Sequence, residues 1–154
     1  IIEGIKINTN IDCQLKWPND IMINNKKLGG VLIERKSDII VIGVGINVNE
    51  NLIDIDSEIK NKSISLKMIS NLSIQLEPLL ANILNKFESN YYNKNHKDII
   101  KKWEKYCSHI NRNIQFHKNH EIISGTFLRL KSNGHAIVNI DGQNHIITGG
   151  MINI

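Results

Sequence analysis

At 154 residues, 41% hydrophobic and 22% charged, the chain has the balance of a soluble globular protein: one ordinary domain, or a partial domain with a small module. Its net charge of +4 comes from lysines spread between Lys6 and Lys131 with acids among them, which reads as a solvated surface and not as a continuous basic track for nucleic acid. No apolar run approaches the ~18 residues of a membrane span, no leader pattern opens the chain, and the lone cysteines Cys13 and Cys107 suit a reducing cytoplasm.

Taken in order, residues 1–49 carry a strand pattern. Residues 14–17 lead into a Pro18-Asn19-Asp20 turn, and residues 21–23 run to Asn24-Asn25, a pair that tolerates the positive φ of a two-residue hairpin. Residues 28–34 and 39–44 are β-branched and apolar, and the charged turn 35–38 separates them. Such short links join antiparallel neighbours, so a meander with one face mostly covered is expected. Residues 49–62 are polar and read as a long surface loop.

The period then changes to 3.6. Leu76, Leu79, Leu80, Ile83, Leu84 and Phe87 fall on one helix stripe, with Pro78 tolerable in the first turn. Ile99, Ile100, Trp103, Tyr106 and Cys107 mark a shorter amphipathic helix after a break at residues 93–96, and Trp103 is expected to pack in a core. From residue 110 onward short strands return: Ile114 and Phe116, then residues 122–130, 136–140, 144–148 and 151–154. Lys118-Asn119, Ser132-Asn133-Gly134 and Asp141-Gly142 supply the turns. A small closed barrel is the economical arrangement, since closure removes exposed edges. The six histidines show no metal-ligand spacing; His117 and His120 fall in an expected surface turn.

The chemistry gathers in one stretch. A Pro turn presents the amide of Asn19 and the carboxylate of Asp20 beside Lys16. Beyond the hairpin, Lys27 precedes Gly29-Gly30, where backbone can approach a ligand closely. A further strand carries Gly43 and Gly45 into Asn47 and Asn49. Lysines, bare backbone and amides on one sheet suit an anionic ligand with a neutral polar part, and an oxygen-donor corner suits Mg²⁺. Each piece also has an ordinary structural meaning as a turn, a bulge or a solvated lysine. No helix follows Gly43-x-Gly45, which argues against a dinucleotide fold.

Lys16-Trp17-Pro18-Asn19-Asp20, the strand Lys27-x-Gly29-Gly30-x-Leu32-x-Glu34 and the strand Gly43-x-Gly45-Ile46-Asn47-x-Asn49 resemble, in order and spacing, the signature of biotin protein ligases. Trp103-Glu104-x-Tyr106 and a β module ending in Gly149-Gly150 fit the same family. The resemblance implies an α+β fold: a partial class II synthetase-like mixed sheet with helices over residues 1–107, then a small SH3-like β-barrel over residues 108–154. It implies ATP-dependent formation of biotinyl-5′-AMP and transfer of biotin to a lysine of a biotin carboxyl carrier protein, the acetyl-CoA carboxylase subunit. Lys27 matches the catalytic lysine, Lys27 and Gly30 the biotin side, and Lys16, Asn19, Asp20 and Asn47 the ATP side; Asp20 and Asn19 match the Mg²⁺ side. Some members dimerise through an exposed sheet. Nucleic acid would be a partner where an N-terminal DNA-binding domain exists.

One departure matters. The family's glycine- and arginine-rich loop precedes the Lys-Trp-Pro-Asn-Asp block, whereas the arginines here are Arg35, Arg112 and Arg129. With Ile1 in place of an initiating Met, the expectation is a fragment holding half a site and inactive alone. Two rival readings stand beside it. One is a lipoate or octanoate ligase on the related fold. The other is a basic nucleic-acid-binding barrel, which has Phe116 and Phe127 as its only aromatics for stacking bases.

Overall fold

The computed structural model describes residues 1–92, 95–118 and 121–154. The expected helix break at residues 93–96 and the turn at Lys118-Asn119 fall partly on residues 93–94 and 119–120, outside the described residues, as does His120. The architecture is α+β, with two compact units: Ile1–Gln14 with Asn19–Tyr92, and Leu15–Pro18 with Asn93–Ile154.

The first unit opens with a helix, α1 (Ile2–Thr9), where the sequence pattern suggests strands. Gly4 and the β-branched Ile2, Ile5 and Ile7 are weak helix formers, so packing decides the conformation. A Cβ on Gly4 would stand 2.7 Å from the backbone of Ile83; α1 therefore crosses α3 (Leu76–Tyr92) almost backbone to backbone. Ile5, Leu79 and Ile83 are buried. Leu76, Leu80, Leu84 and Phe87 remain about half exposed, so the six-residue stripe splits and its Leu79/Ile83 edge alone is covered. Between sheet and α3 lie a single 3-10 turn (Leu52–Asp54) and α2 (Leu66–Ser70), capped by Ser65.

Strands β2 (Asp20–Ile23), β3 (Lys26–Lys36) and β4 (Ile39–Ile46) form the expected antiparallel meander. Asn24 and Asn25 take φ of 49° and 61°, the geometry of a tight hairpin whose twist matches its strands. Ile21, Ile23 and Leu28 are buried, but Leu32, Ile33 and the apolar side chains of β4 from Ile39 to Val44 are exposed. Cover on one face therefore holds for the inner half of the meander only.

In the second unit, Leu15 of β1 (Gln14–Lys16) bridges Cys107 in parallel, and the Ser108 N–H donates to Leu15 O at 2.9 Å. After α4 (His96–Tyr106) come β5 (Asn113–Lys118), β6 (Glu121–Leu130), β7 (Ala136–Ile140), β8 (Gln143–Ile147) and β9 (Ile152–Asn153). They form an antiparallel sheet in the order β8-β7-β6-β5-β9. Among the described residues β8 and β9 are its two edges, so closure into a barrel is not seen. Asp141 and Gly142, at φ 48° and 84°, make the turn read at that point.

Trp17, Ile114, Phe116, Phe127, Leu130, Ala136, Val138 and Ile152 form the buried core, and Ile100, Trp103 and Cys107 of the α4 end pack against it. Trp103 is thus a partly buried flank, and Trp17 holds the place expected of it. The second unit takes in α4 and Leu15–Pro18 along with these strands. Glu104 reinforces this: its carboxylate accepts the Leu130 N–H at 2.9 Å.

His109 is fully buried, edge-on to Phe127 at 4.4 Å between ring centroids, with the Cys107 sulfur 3.3 Å from Nδ1. Burial, with the charges of Lys16 and Arg112, pushes the imidazole down to about 4. Burial likewise pushes the Cys107 thiol up to about 11. Both groups are therefore neutral near pH 7, and the pair is no thiolate nucleophile. A histidine whose folded pKa lies below its unfolded value of ~6.5 binds more protons when unfolded. Stability is then full above about pH 6.5 and falls as pH drops toward 4. The melting temperature is expected to decline between pH 7 and pH 5, above the carboxylate range, and His109→Gln is expected to flatten that slope; an equal slope in the variant would refute the assignment.

Candidate functional site

The hairpin does more than connect strands. Asp20 pairs with Gly30 and Ile21 with Gly29, but Met22 pairs with Lys27, so Leu28 is the extra residue of a β-bulge. In an unbroken strand Lys27 and Gly30 would point to opposite faces. The bulge brings Lys27, Gly30 and Asp20 to one face while Leu28 turns into the core at 0% exposure.

On that face the Lys27 ammonium lies 2.5 Å from Asp20 Oδ1. Asp20 is mostly buried, whereas the Lys27 side chain is 51% exposed. An ammonium has three N–H donors, so the ion pair leaves two for a ligand. A pair this open to water contributes at most about 1 kcal/mol, and an anion can draw the amine away cheaply. Lys27 is held by its backbone: its N–H donates to Lys62 O at 2.7 Å and its carbonyl accepts from the Ile64 N–H at 3.0 Å.

The two glycines differ. A Cβ on Gly29 would lie 2.2 Å from Gly45 O, so Gly29 is required by the close approach of β4. A Cβ on Gly30 would stand 3.4 to 3.6 Å from Asn19 O, Asp20 Oδ1 and Lys27 Cε. It would fit, but it would fill the cradle that Asp20 and Lys27 frame. Bare backbone at residue 30 leaves that space open.

The amides serve first as braces. Asn19 Nδ2 donates to Val31 O at 2.9 Å while Asn19 O accepts from the Val31 N–H at 3.0 Å, clamping the corner to β3. Asn47 Nδ2 donates to Ile64 O at 3.1 Å. Each retains an amide oxygen with no protein partner among the described residues. Asn49 is fully engaged with the backbone of Ile74 and is structural.

These elements line an open cavity of about 570 Å³ bounded by Asn19, Lys27, Gly30, Asn47 and Ser63, with Val31, Leu32, Val44 and Ile59 as its apolar wall. That volume and that mixture are typical of a small-molecule site. Lys27, Asp20, Gly30, Asn19 and Asn47, all read from the sequence, thus gather in one unit. Lys16 belongs to the Leu15–Pro18 stretch of the second unit and is half-buried. Ser63 and Ile59 escape a reading of the sequence: they sit in or beside the polar loop, where no motif marks them.

For a metal, this corner offers one carboxylate, and Lys27 already pairs with it. Among the described residues no three His, Cys, Asp or Glu side chains cluster as metal ligands. Magnesium, which commonly binds through one or two carboxylates plus phosphate oxygens, would need a nucleotide to complete its shell here. Among the described residues no helix is long and apolar enough to cross a membrane.

Residues 1–51 match the Biotin/lipoate A/B protein ligase family. The bifunctional ligase/repressor BirA of Bacillus spizizenii is 33% identical over 135 residues, covering 82% of this chain and 40% of that protein. Apo biotin protein ligase from Aquifex aeolicus superposes with a TM-score of 0.90 at 27% identity, over 99% of this chain and 70% of the other. The complex of the Aquifex aeolicus enzyme with biotin and ATP gives 0.86 at 27% identity, over 99% and 66%. The chain therefore spans about two fifths of the length of the curated relatives it matches.

Proposed function

Since the chain belongs to the biotin protein ligases, we propose that it supplies the Lys27 side of an ATP-dependent ligase site that activates biotin as biotinyl-5′-AMP. The observation that carries this reading is the bulge-directed Lys27 amine, 2.5 Å from Asp20, over the cradle that Gly30 leaves open. In the proposed reaction a biotin carboxylate oxygen attacks the ATP α-phosphorus. The bond to the bridging oxygen breaks, and pyrophosphate leaves. A carrier lysine amine then attacks the acyl carbon, gives up a proton and displaces AMP. Carboxylate and triphosphate repel one another, and the two free donors of Lys27 hold both anions and stabilise charge on phosphorus. One such preorganised donor is worth on the order of 10²–10³ in rate.

The rest of the assignment is proposed on the same footing. Lys27 and Gly30 take the biotin side; Asn19, Asp20, Asn47 and, by resemblance, Lys16 take ATP. Asn19 and Asp20 would hold Mg²⁺ arriving with the nucleotide, which would shield the phosphates. The acceptor is a biotin carboxyl carrier protein, the setting is cytoplasmic, and a homodimer is carried over from the family. The sequence division is a catalytic part in residues 1–107 and an SH3-like part in residues 108–154; because the chain covers only part of its relatives, it is proposed to be inactive alone.

Two rivals are weighed against this. The nucleic-acid reading loses support because Phe116 and Phe127 are 3% and 0% exposed and offer no stacking surface. Lipoate or octanoate transfer is tested directly by thermal shift. With ATP present, biotin is expected to raise the melting temperature of the chain more than lipoate does; equal or greater stabilisation by lipoate would put that reading in its place.

A further inference from the structure

The lysines that look evenly spread along the sequence are unevenly shared between the two compact units. Ten of the 19 basic and four of the 15 acidic side chains belong to the second unit, which carries a formal side-chain charge of +6 against −2 for the first. Within the second unit the charge gathers on α4. Lys97, Lys101 and Lys105 follow one another at i, i+4 and i+8, and all three are exposed. Ile100 and Trp103, on the other side of the helix, pack against the strand core. At the α-helical rise the three lysines form a ridge about 12 Å long.

The helix itself gains little from this ridge. Like charges four residues apart repel one another, and Lys97 sits in the first turn, where the helix dipole disfavours a cation; Lys105, in the last turn, alone suits it. The two acids of α4 do not offset the row. The Glu104 carboxylate accepts the Leu130 N–H, and that of Asp98 accepts from Asn95 Nδ2. Among the described residues none of the three lysines joins an ion pair. Three ammonium groups thus stand in one row in water, an arrangement that an anionic surface would complement.

We propose that the α4 ridge is a docking surface for an acidic face of the protein that receives biotin. The inference rests on the ligase reading above, in which a carrier lysine is the acceptor, and adds the surface and the charge by which that acceptor is met. Lysine is a compact, flexibly held point charge. Such charges at the rim of an interface steer the encounter and set its salt dependence. Duplex nucleic acid fits less well, since a strongly bound duplex takes about 6–10 phosphate contacts and the row offers three cations.

The test compares the longer ligase of which this chain is proposed to be a part with its Lys97→Gln/Lys101→Gln/Lys105→Gln variant, glutamine having nearly the helix propensity of lysine. Biotin-dependent pyrophosphate release is measured without acceptor, and biotin transfer to biotin carboxyl carrier protein is measured at low and high salt. The expected result is a rise of about tenfold in KM for the carrier at low salt, shrinking as salt screens the charges. Pyrophosphate release, kcat and melting temperature are expected to stay unchanged. An unchanged KM at low salt would overturn the inference and leave the ligase reading standing. Equal losses in pyrophosphate release and transfer would also overturn it, as would a variant that loses retention of duplex DNA while its KM for the carrier holds. Absence of pyrophosphate release from the unsubstituted protein would instead sink the ligase reading itself, and the docking inference with it.

Discussion

Trp17→Ala is expected to destabilise the second unit by about 3–5 kcal/mol, the cost of emptying a large aromatic from a core. Trp17 is 3% exposed and packs tilted against Phe127 with ring centroids 6.4 Å apart. Its indole N–H donates to Gly134 O at 3.0 Å, on a turn where Gly134 takes φ +81°. The substitution therefore opens a cavity beside Phe127 and also strips a carbonyl of its donor. Trp103 survives as the fluorescent reporter, so denaturant unfolding of this unit remains measurable in the variant. An unchanged midpoint would mean that the indole is not part of the core. Trp103→Ala, at a partly buried flank, is expected to cost less than the same change at residue 17.

That contrast shows what can be read along the chain. Both tryptophans are large apolar residues, and α4 periodicity points to Trp103 as the buried one. Trp17 follows a three-residue strand where no periodicity exists, and its partners lie about a hundred residues away. The Asn24-Asn25 hairpin is legible because a pair of left-handed residues is local chemistry. The bulge at Leu28 is not, since it depends on which residue of β2 each residue of β3 faces. Helix α1 is hidden by its β-branched residues and Gly4, and appears only because α3 offers Ile83 to pack on. The same limit explains α3: spacing marks six apolar residues on a stripe but not which edge of it a neighbour covers.

At the site, Lys27, Asp20, Gly30, Asn19 and Asn47 stand in motifs whose order and spacing are distinctive. Ser63 has no motif, and its place in the lining of the cavity is a property of packing. Asn19 and Asn47 read as ligand groups in the sequence, yet each spends its amide N–H on a backbone carbonyl.

Lys27→Ala carries the larger functional consequence. The variant loses all three ammonium donors, and the Asp20 carboxylate loses its ion-pair partner. On the proposed reading, a carboxylate would then face biotin and triphosphate where a cation is proposed to join them. A loss on the order of 10²–10³ in the activation step follows from removing one preorganised donor, and the added repulsion acts in the same direction. Lys27→Arg is not a neutral exchange, because a planar guanidinium does not replace a compact ammonium between two anions. The fold should be untouched, since residue 27 is anchored through its N–H to Lys62 O and through its carbonyl to the Ile64 N–H, bonds that alanine keeps.

The direct measurement is biotin-dependent pyrophosphate release by the longer ligase of which this chain is proposed to be a part, compared between the unsubstituted protein and its Lys27→Ala variant at matching melting temperatures. A fall of about 10²–10³ at equal stability is the predicted result. Undiminished release from a correctly folded Lys27→Ala protein would contradict the placement of this amine between vitamin and nucleotide.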